Sequence, residues 1–303
     1  MKKKVLLTGA AGLVGSTIKA DFRVHSRNHL DLRNWDSTIS FFERHQPTHV
    51  VHCAAKVGGV WANMHHAGEF FYDSMMMNLN VLEAARRTGV QKVVSFLSTC
   101  IYPDQVEYPL TETNLHRGEP HESNFSYAYA KRMLEVQSRA YRKQYDVNYV
   151  CVVPTNIYGP HDNYNLEGGH VVPSLIHKCY LAKKNNTDLV VWGSGKPLRE
   201  FVFSEDIGKL TTWALDSYEE ATPIIFSNSD EITIRELVEV IVEAMEFEGN
   251  VIFDSEKPDG QFRKPTDNSK LLSLLPDFKF TPIKEGMKKS VDWFIENYEN
   301  CRK

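Results

Sequence analysis

The sequence predicts an α/β fold in which a doubly wound parallel sheet carries a smaller α/β substrate-binding lobe. Three observations predict it. A short apolar run, Val5-Leu-Leu-Thr8, ends in glycines spaced as Gly9-Ala-Ala-Gly12-Leu-Val-Gly15, the strand-then-glycine-turn pattern of a dinucleotide site. Strand-like and helix-like stretches then alternate to about residue 153, as consecutive βαβ units require. Past that point the alternation loosens, which sets off a second lobe.

Composition bounds the partners. A chain of 303 residues can bury a large core. A formal charge of −4 gives no electrostatic case for nucleic acid or an anionic membrane, so the expected partner is a small molecule. Five cysteines (Cys53, Cys100, Cys151, Cys179, Cys301) are scattered, odd in number and without CxxC spacing. That argues against a disulfide framework or a zinc site, so no metal is expected and a reducing, cytoplasmic compartment fits. The opening lysines and apolar run resemble a signal peptide, but the run stops at Thr8 and Gly9 and reads as a first strand. No stretch approaches the ~18 to 20 apolar residues of a membrane helix.

In chain order, the glycine turn leads into Ser16–Phe22, expected as a helix whose N-terminus meets a pyrophosphate, which makes the sheet Rossmann-type. The segment from Phe22 to Leu32 lacks the acid that would hold a ribose 2′-hydroxyl and offers His25, Ser26 and Arg27 instead. This favours NADPH, with a plain solvated loop charge as the other reading of Arg27. Asp31 could reach an adenine amino group. A third strand covers His49–Ala55 and breaks at Lys56-Val-Gly-Gly59, whose glycines permit close approach of a ligand. Residues 70–88 read as a long helix stopped by Gly89. Its apolar residues surround much of it, so burial on more than one side is expected, with Met75, Met76 and Met77 in packing or a subunit contact.

A strand over Val93–Leu97 runs into Ser98-Thr-Cys100, and a helix over Phe125–Tyr145 carries Tyr127 and Lys131. Four residues apart, these two share a helix face, where the ammonium would favour the ionised phenol and Ser98 could hold a substrate oxygen. Alone, that spacing would be an ordinary solvated face; behind a dinucleotide turn it reads as catalytic. A strand over 148–153 follows, then a polar loop over 161–170, a helix over 171–185 and a strand at 189–192 ending in a turn. Helices over 205–215 and 232–245 flank a strand at 223–227, and a strand at 251–253 precedes a last helix over 283–298. The expected division is a dinucleotide domain over 1–153 and 206–228, and a substrate lobe over 154–205 and 229–303.

Several runs together carry a family resemblance: the glycine turn, Ala54-Ala-Lys-Val-Gly-Gly59, Ser98-Thr-Cys-Ile-Tyr-Pro103, Tyr127-Ala-Tyr-Ala-Lys131, Pro154-Thr-Asn-Ile-Tyr-Gly-Pro-His-Asp-Asn163, His170-Val-Val-Pro173, Val191-Trp-Gly-Ser-Gly195 and Arg199-Glu-Phe201. With them the sequence resembles the extended short-chain dehydrogenase/reductase family, and within it the branch that forms GDP-L-fucose. The resemblance implies 3,5-epimerisation and NADPH-dependent 4-reduction of GDP-4-keto-6-deoxy-D-mannose, with another nucleotide-sugar epimerase or reductase of the same family as the alternative. A catalytically silent NADP-binding regulator is the reading from a different class.

Residue by residue, the resemblance implies a reductase set of Ser98, Tyr127 and Lys131 and an acid/base pair of Cys100 and His170. It implies cofactor contacts at Gly9, Gly12, Leu13, Val14, Gly15, Ser26, Arg27, Asp31, Ala54, Ala55, Lys56, Tyr127, Lys131, Pro154, Asn156 and His170. The GDP-sugar would meet Asn156, Val171, Leu175, Lys178, Val191, Trp192, Arg199 and Lys264, with Trp192 stacking on guanine or else packing in a core. Two positions depart from the family pattern: Ser74 replaces an Asn of the central helix, and Ala11 an Arg of bacterial relatives. The family also implies a homodimer built as a four-helix bundle from the helices around 70–88 and 127–145.

Overall fold

The first strand, β1 (Val5–Thr8), is buried along its whole length. It lies between β2 (Phe22–Val24) and β3 (His49–His52), pairing both in parallel. The computed structural model describes residues 2–257 and 259–303, so Met1 and Pro258 lie outside the described residues. Between β2 and β3 runs α1 (Trp35–His45), which was not anticipated; Asn34 caps it by accepting from Ser37 N–H at 2.8 Å.

After β3 come α2 (Val60–His65) and the long α3 (Ala67–Arg87), then β4 (Lys92–Phe96) and α4 (Phe125–Tyr145). The next strand, β5 (Asn148–Pro154), is parallel to β4. Helices α3 and α4 pack side by side on one face, over a core that includes Val50, Val81, Leu82, Val93, Leu134 and Tyr149.

Beyond β5 the chain forms β6 (Asn156–Tyr158), α5 (Val171–Asn185), β7 (Leu189–Trp192) and β8 (Leu198–Phe203). It returns through α6 (Ser204–Ser217) to β9 (Ile224–Phe226), completing a parallel sheet of order β2-β1-β3-β4-β5-β9. The remaining elements are β10 (Glu231–Thr233), α7 (Ile234–Met245), β11 (Val251–Asp254), α8 (Ser269–Leu274) and α9 (Ile283–Glu296). Thr233 and Glu236 start α7 with a reciprocal capping box.

Two small sheets, β10-β8-β6 and β11-β7, and helices α5, α7 and α9 enclose a separate lobe core around Tyr158, Ile176, Ile241 and Phe294. The strand order reverses at β1, so a crevice opens beyond the carboxyl ends of β1 and β3, where an open α/β sheet binds its ligand.

Two expectations need correction. Residues 16–22 form no α-helix: a 3-10 turn at Gly15–Thr17 is the only helical structure there, because Phe22 is already the first residue of β2. The segment carrying Leu271, Leu275, Phe278 and Phe280 packs with α6 against the sheet rather than within the lobe, because these side chains cover the sheet face beside Ile224 and Phe226.

Candidate active site

The site begins with the glycine turn. Gly9 has φ +71°, and a Cβ on it would lie 2.9 Å from Ala54 N at the end of β3. A Cβ on Gly15 would lie 2.2 Å from Gly9 O, so the turn closes only with glycine at both positions. Gly12 N–H donates to Gly9 O at 3.1 Å, and Ala10 N–H to Val24 O at 3.0 Å. The result is a bare backbone cradle beside Ala54, Ala55 and Lys56.

A cavity of about 640 Å³ opens from this cradle. Its wall brings together Gly9, Gly12, Leu13, Val14, Gly15, Ser26, Arg27, Ala54, Ala55 and Lys56 with Ser98, Cys100, Tyr127, Lys131, Pro154, Asn156, His170 and Val171. Every expected catalytic residue is among them. Ser98, two residues past β4, caps the next turn, accepting from Cys100 N–H at 3.2 Å. From α4, Lys131 Nζ donates to Phe96 O at 2.7 Å and stands 5.9 Å from the centre of the Tyr127 ring. His170 stands at the N-cap position of α5, makes no capping hydrogen bond through its side chain, and is exposed.

The electrostatics depart from the expectation for Tyr127. Burial pushes its phenol well above the ordinary value, and the Ser98 hydroxyl offsets this only in part. Burial also pulls Lys131 down to about 8. The Lys131 ammonium bonds a carbonyl, and burial keeps the phenol protonated at neutral pH.

Asp31 lies outside the cavity wall. Its carboxylate is held at about 2 by Arg33, which bonds it through Nε at 2.9 Å and Nη2 at 2.7 Å. Arg27, 51% exposed at its side chain, pairs with Asp73 of α3 at 2.8 Å, and Arg33 and Lys56 converge on the same carboxylate at 3.0 and 3.4 Å. Burial would raise Asp73, but these hydrogen bonds and charges leave it lowered. The expected cofactor cation is thus part of a three-cation cluster that sequence spacing did not reveal.

The positions expected to hold GDP fall into two groups. Leu175 and Val191 are buried in the lobe core. Trp192 is 63% exposed on the other side of β7, with Lys178 Nζ 4.5 Å from its ring centre. Arg199 donates to Leu198 O at 2.6 Å, and Arg199 and Lys264 both have lowered pKa values through burial. Both lie near enough to Cys100 for charge interaction.

Other participants were missed. Thr8 Oγ1 and His52 Nδ1 are 2.8 Å apart, His52 Nε2 and Asn78 Oδ1 are 3.0 Å apart, and Asn78 Nδ2 donates to Ala130 O at 3.2 Å. This chain ties β1 and β3 to the helix bearing Tyr127. The Ser74 hydroxyl, one turn earlier on α3, is buried and has no hydrogen-bond partner among the described residues. Asp162 and Arg302 also line the cavity. Asp162 is 4% exposed, and burial raises its carboxyl against the opposing charge of His170. An isolated acid in a polar loop gives no sequence signal for that placement.

Comparison with known proteins gives a consistent likeness. Residues 5–227 match the NAD dependent epimerase/dehydratase family. The chain is 51% identical to the GDP-L-fucose synthase of Dictyostelium discoideum, covering 100% of this chain and 98% of that protein. It is 43% identical to the probable GDP-L-fucose synthase of Drosophila melanogaster, over 99% and 100%. Among solved structures, a GDP-L-fucose synthetase from Naegleria fowleri bound to NADP superposes with a TM-score of 0.95 at 42% identity, covering 100% of this chain and 95% of that one.

Proposed function

This chain belongs to the NAD dependent epimerase/dehydratase family, and on that premise we propose that it converts GDP-4-keto-6-deoxy-D-mannose to GDP-L-fucose, epimerising C3 and C5 and reducing C4. It is an NADP-dependent oxidoreductase with epimerase activity. The observation that carries the reading is a single wall holding Ser98, Tyr127 and Lys131 together with Cys100 and His170. A simple reductase needs the first three and has no use for the last two.

The residues fit the cofactor: the Gly9 and Gly15 cradle leaves backbone where any Cβ would stand, and Arg27 and Lys56 line the same cavity. When bound, NADPH supplies the hydride that reaches C4. Arg27, steadied by Asp73, would hold the 2′-phosphate, which would favour NADPH over NADH.

The C4 ketone acidifies the protons at both C3 and C5. Cys100 and His170 exchange those protons, one group taking and the other returning on the opposite face of the sugar. Tyr127, kept protonated by burial, gives its proton to the C4 oxygen while Ser98 holds that oxygen and Lys131 stabilises the phenolate left behind. Lys178 and Trp192 receive the guanine side of the nucleotide, and Arg199 and Lys264 its phosphates.

Two further features support assembly and location. Phe71, Tyr72 and Leu79 of α3 and Phe125 and Met133 of α4 are exposed on a pair of packed helices, which suits a homodimer closed as a four-helix bundle. All five cysteines are unpaired, in keeping with a cytoplasmic protein, and among the described residues no helix is long and apolar enough to cross a membrane. The test is incubation with GDP-4-keto-6-deoxymannose and NADPH. NADPH consumption with formation of GDP-L-fucose is expected; a product reduced at C4 but unchanged at C3 and C5 would overturn the epimerase half.

A further inference from the structure

The path from β1 to β2 is unusual for two parallel neighbours. Such a crossover ordinarily contains an α-helix, whose first turn aims N–H groups and a positive dipole end at a bound pyrophosphate. Here residues 9–21 contain a three-residue 3-10 turn and no α-helix. That turn is too short to build a dipole; the carbonyls of Gly9, Gly12 and Val14 accept turn N–H groups, but among the described residues Ala10 O accepts no backbone N–H and Gly15 O only a long one, from Ile18 at 3.4 Å.

Arg23, the middle residue of β2, fills that gap. Its Nη2 donates to Ala10 O and Gly15 O, both at 3.1 Å, and its Nη1 to Ile18 O at 2.6 Å. One guanidinium therefore grips the glycine turn near its start, at its last glycine and just past the 3-10 turn. The backbone of the next residue grips it again, since Val24 O accepts from Ala10 N–H. On the far side the turn is wedged against α6, where a Cβ on Gly208 would lie 2.3 Å from Thr17 Oγ1. No carboxylate lies within ion-pairing distance of Arg23 among the described residues; all three of its hydrogen bonds go to neutral carbonyls, so its charge is not cancelled by an ion pair.

We infer that Arg23 is a positioning residue for the dinucleotide: in place of a helix N-terminus, it fixes the glycine turn in its phosphate-receiving shape and supplies positive charge beneath it. The inference rests on the nicotinamide dinucleotide reading of the cavity. It differs from the part given to Arg27, because the pyrophosphate is common to NADPH and NADH whereas the 2′-phosphate is not.

The experiment is titration of the purified protein and its Arg23→Lys and Arg23→Gln variants with NADPH, NADH and GDP, reading dissociation constants and ligand-induced rises in melting temperature. Arg23→Gln is expected to weaken both dinucleotides by about tenfold or more and leave GDP unchanged. Arg23→Lys, which keeps the charge but cannot span three carbonyls, falls between. Variants that melt earlier yet bind both dinucleotides at wild-type strength would reduce Arg23 to a structural staple and overturn the inference. Should Arg23→Gln fail to fold, Arg23→Lys decides alone: unchanged affinity for both dinucleotides overturns it. An unmodified protein that binds neither dinucleotide would instead sink the reading of the cavity.

Discussion

Tyr127 and Lys131 respond to burial in opposite senses, and the reduction depends on both. The phenol is pushed up and holds its proton across the neutral range, while the ammonium is pulled down to about 8 and loses its charge within reach of ordinary buffers. As pH rises through about 8, the cation facing the newly formed phenolate disappears. The kcat/KM for NADPH oxidation should therefore fall on an alkaline limb near 8, and Lys131→Arg should move that limb upward without moving an acid limb. A limb unchanged in Lys131→Arg would assign it elsewhere. At this scale the Tyr127, Lys131 and Ser98 set was legible because helix spacing and the end of a strand are local facts. Asp73, Asn78, Asp162 and Arg302 were not, because they reach the site only through contacts between segments far apart in the chain, such as Arg27 with Asp73.

Among the elements, β3 is held by an interaction that sets an acid limit to stability. His52 is fully enclosed between Thr8 and Asn78, and burial pulls it down to about 3. Its folded pKa lies below its unfolded value of about 6.5, so the unfolded chain binds the extra proton first. The contribution is complete above about pH 6.5 and is lost as pH falls toward 3, at roughly 1.4 kcal/mol per unit. Urea unfolding between pH 7 and 5 should show this slope, and His52→Asn should flatten it; an equal slope in both proteins would move the cause to another group. Helices α3 and α4 were readable because each runs 21 residues in one unbroken pattern. The helix expected after the glycine turn was misread because its residues suit a helix locally, and only the early pairing of Phe22 with Leu6 rules one out.

For the molecule as a whole, the parallel sheet and its crevice followed from the order of motifs. The lobe boundary did not, since α8 returns to the sheet through apolar side chains that resemble any others in sequence. The bundle face predicts an assembly: Tyr72→Glu with Leu79→Glu should give a monomer by sedimentation while preserving NADPH affinity, and an unchanged sedimentation coefficient would place the contact elsewhere. The central claim is that one cavity carries two separable chemistries. It is tested most directly by running the Tyr127→Phe and Cys100→Ala variants with the keto sugar nucleotide in deuterated water and locating deuterium in the sugar. Tyr127→Phe should still take deuterium at C3 or C5 while NADPH oxidation falls by on the order of 10² or more. Cys100→Ala should lose most of the exchange, and what it reduces should be incompletely epimerised. Wild-type exchange and wild-type reduction in Cys100→Ala would contradict the account, leaving Cys100 a packing residue and the epimerising base unassigned.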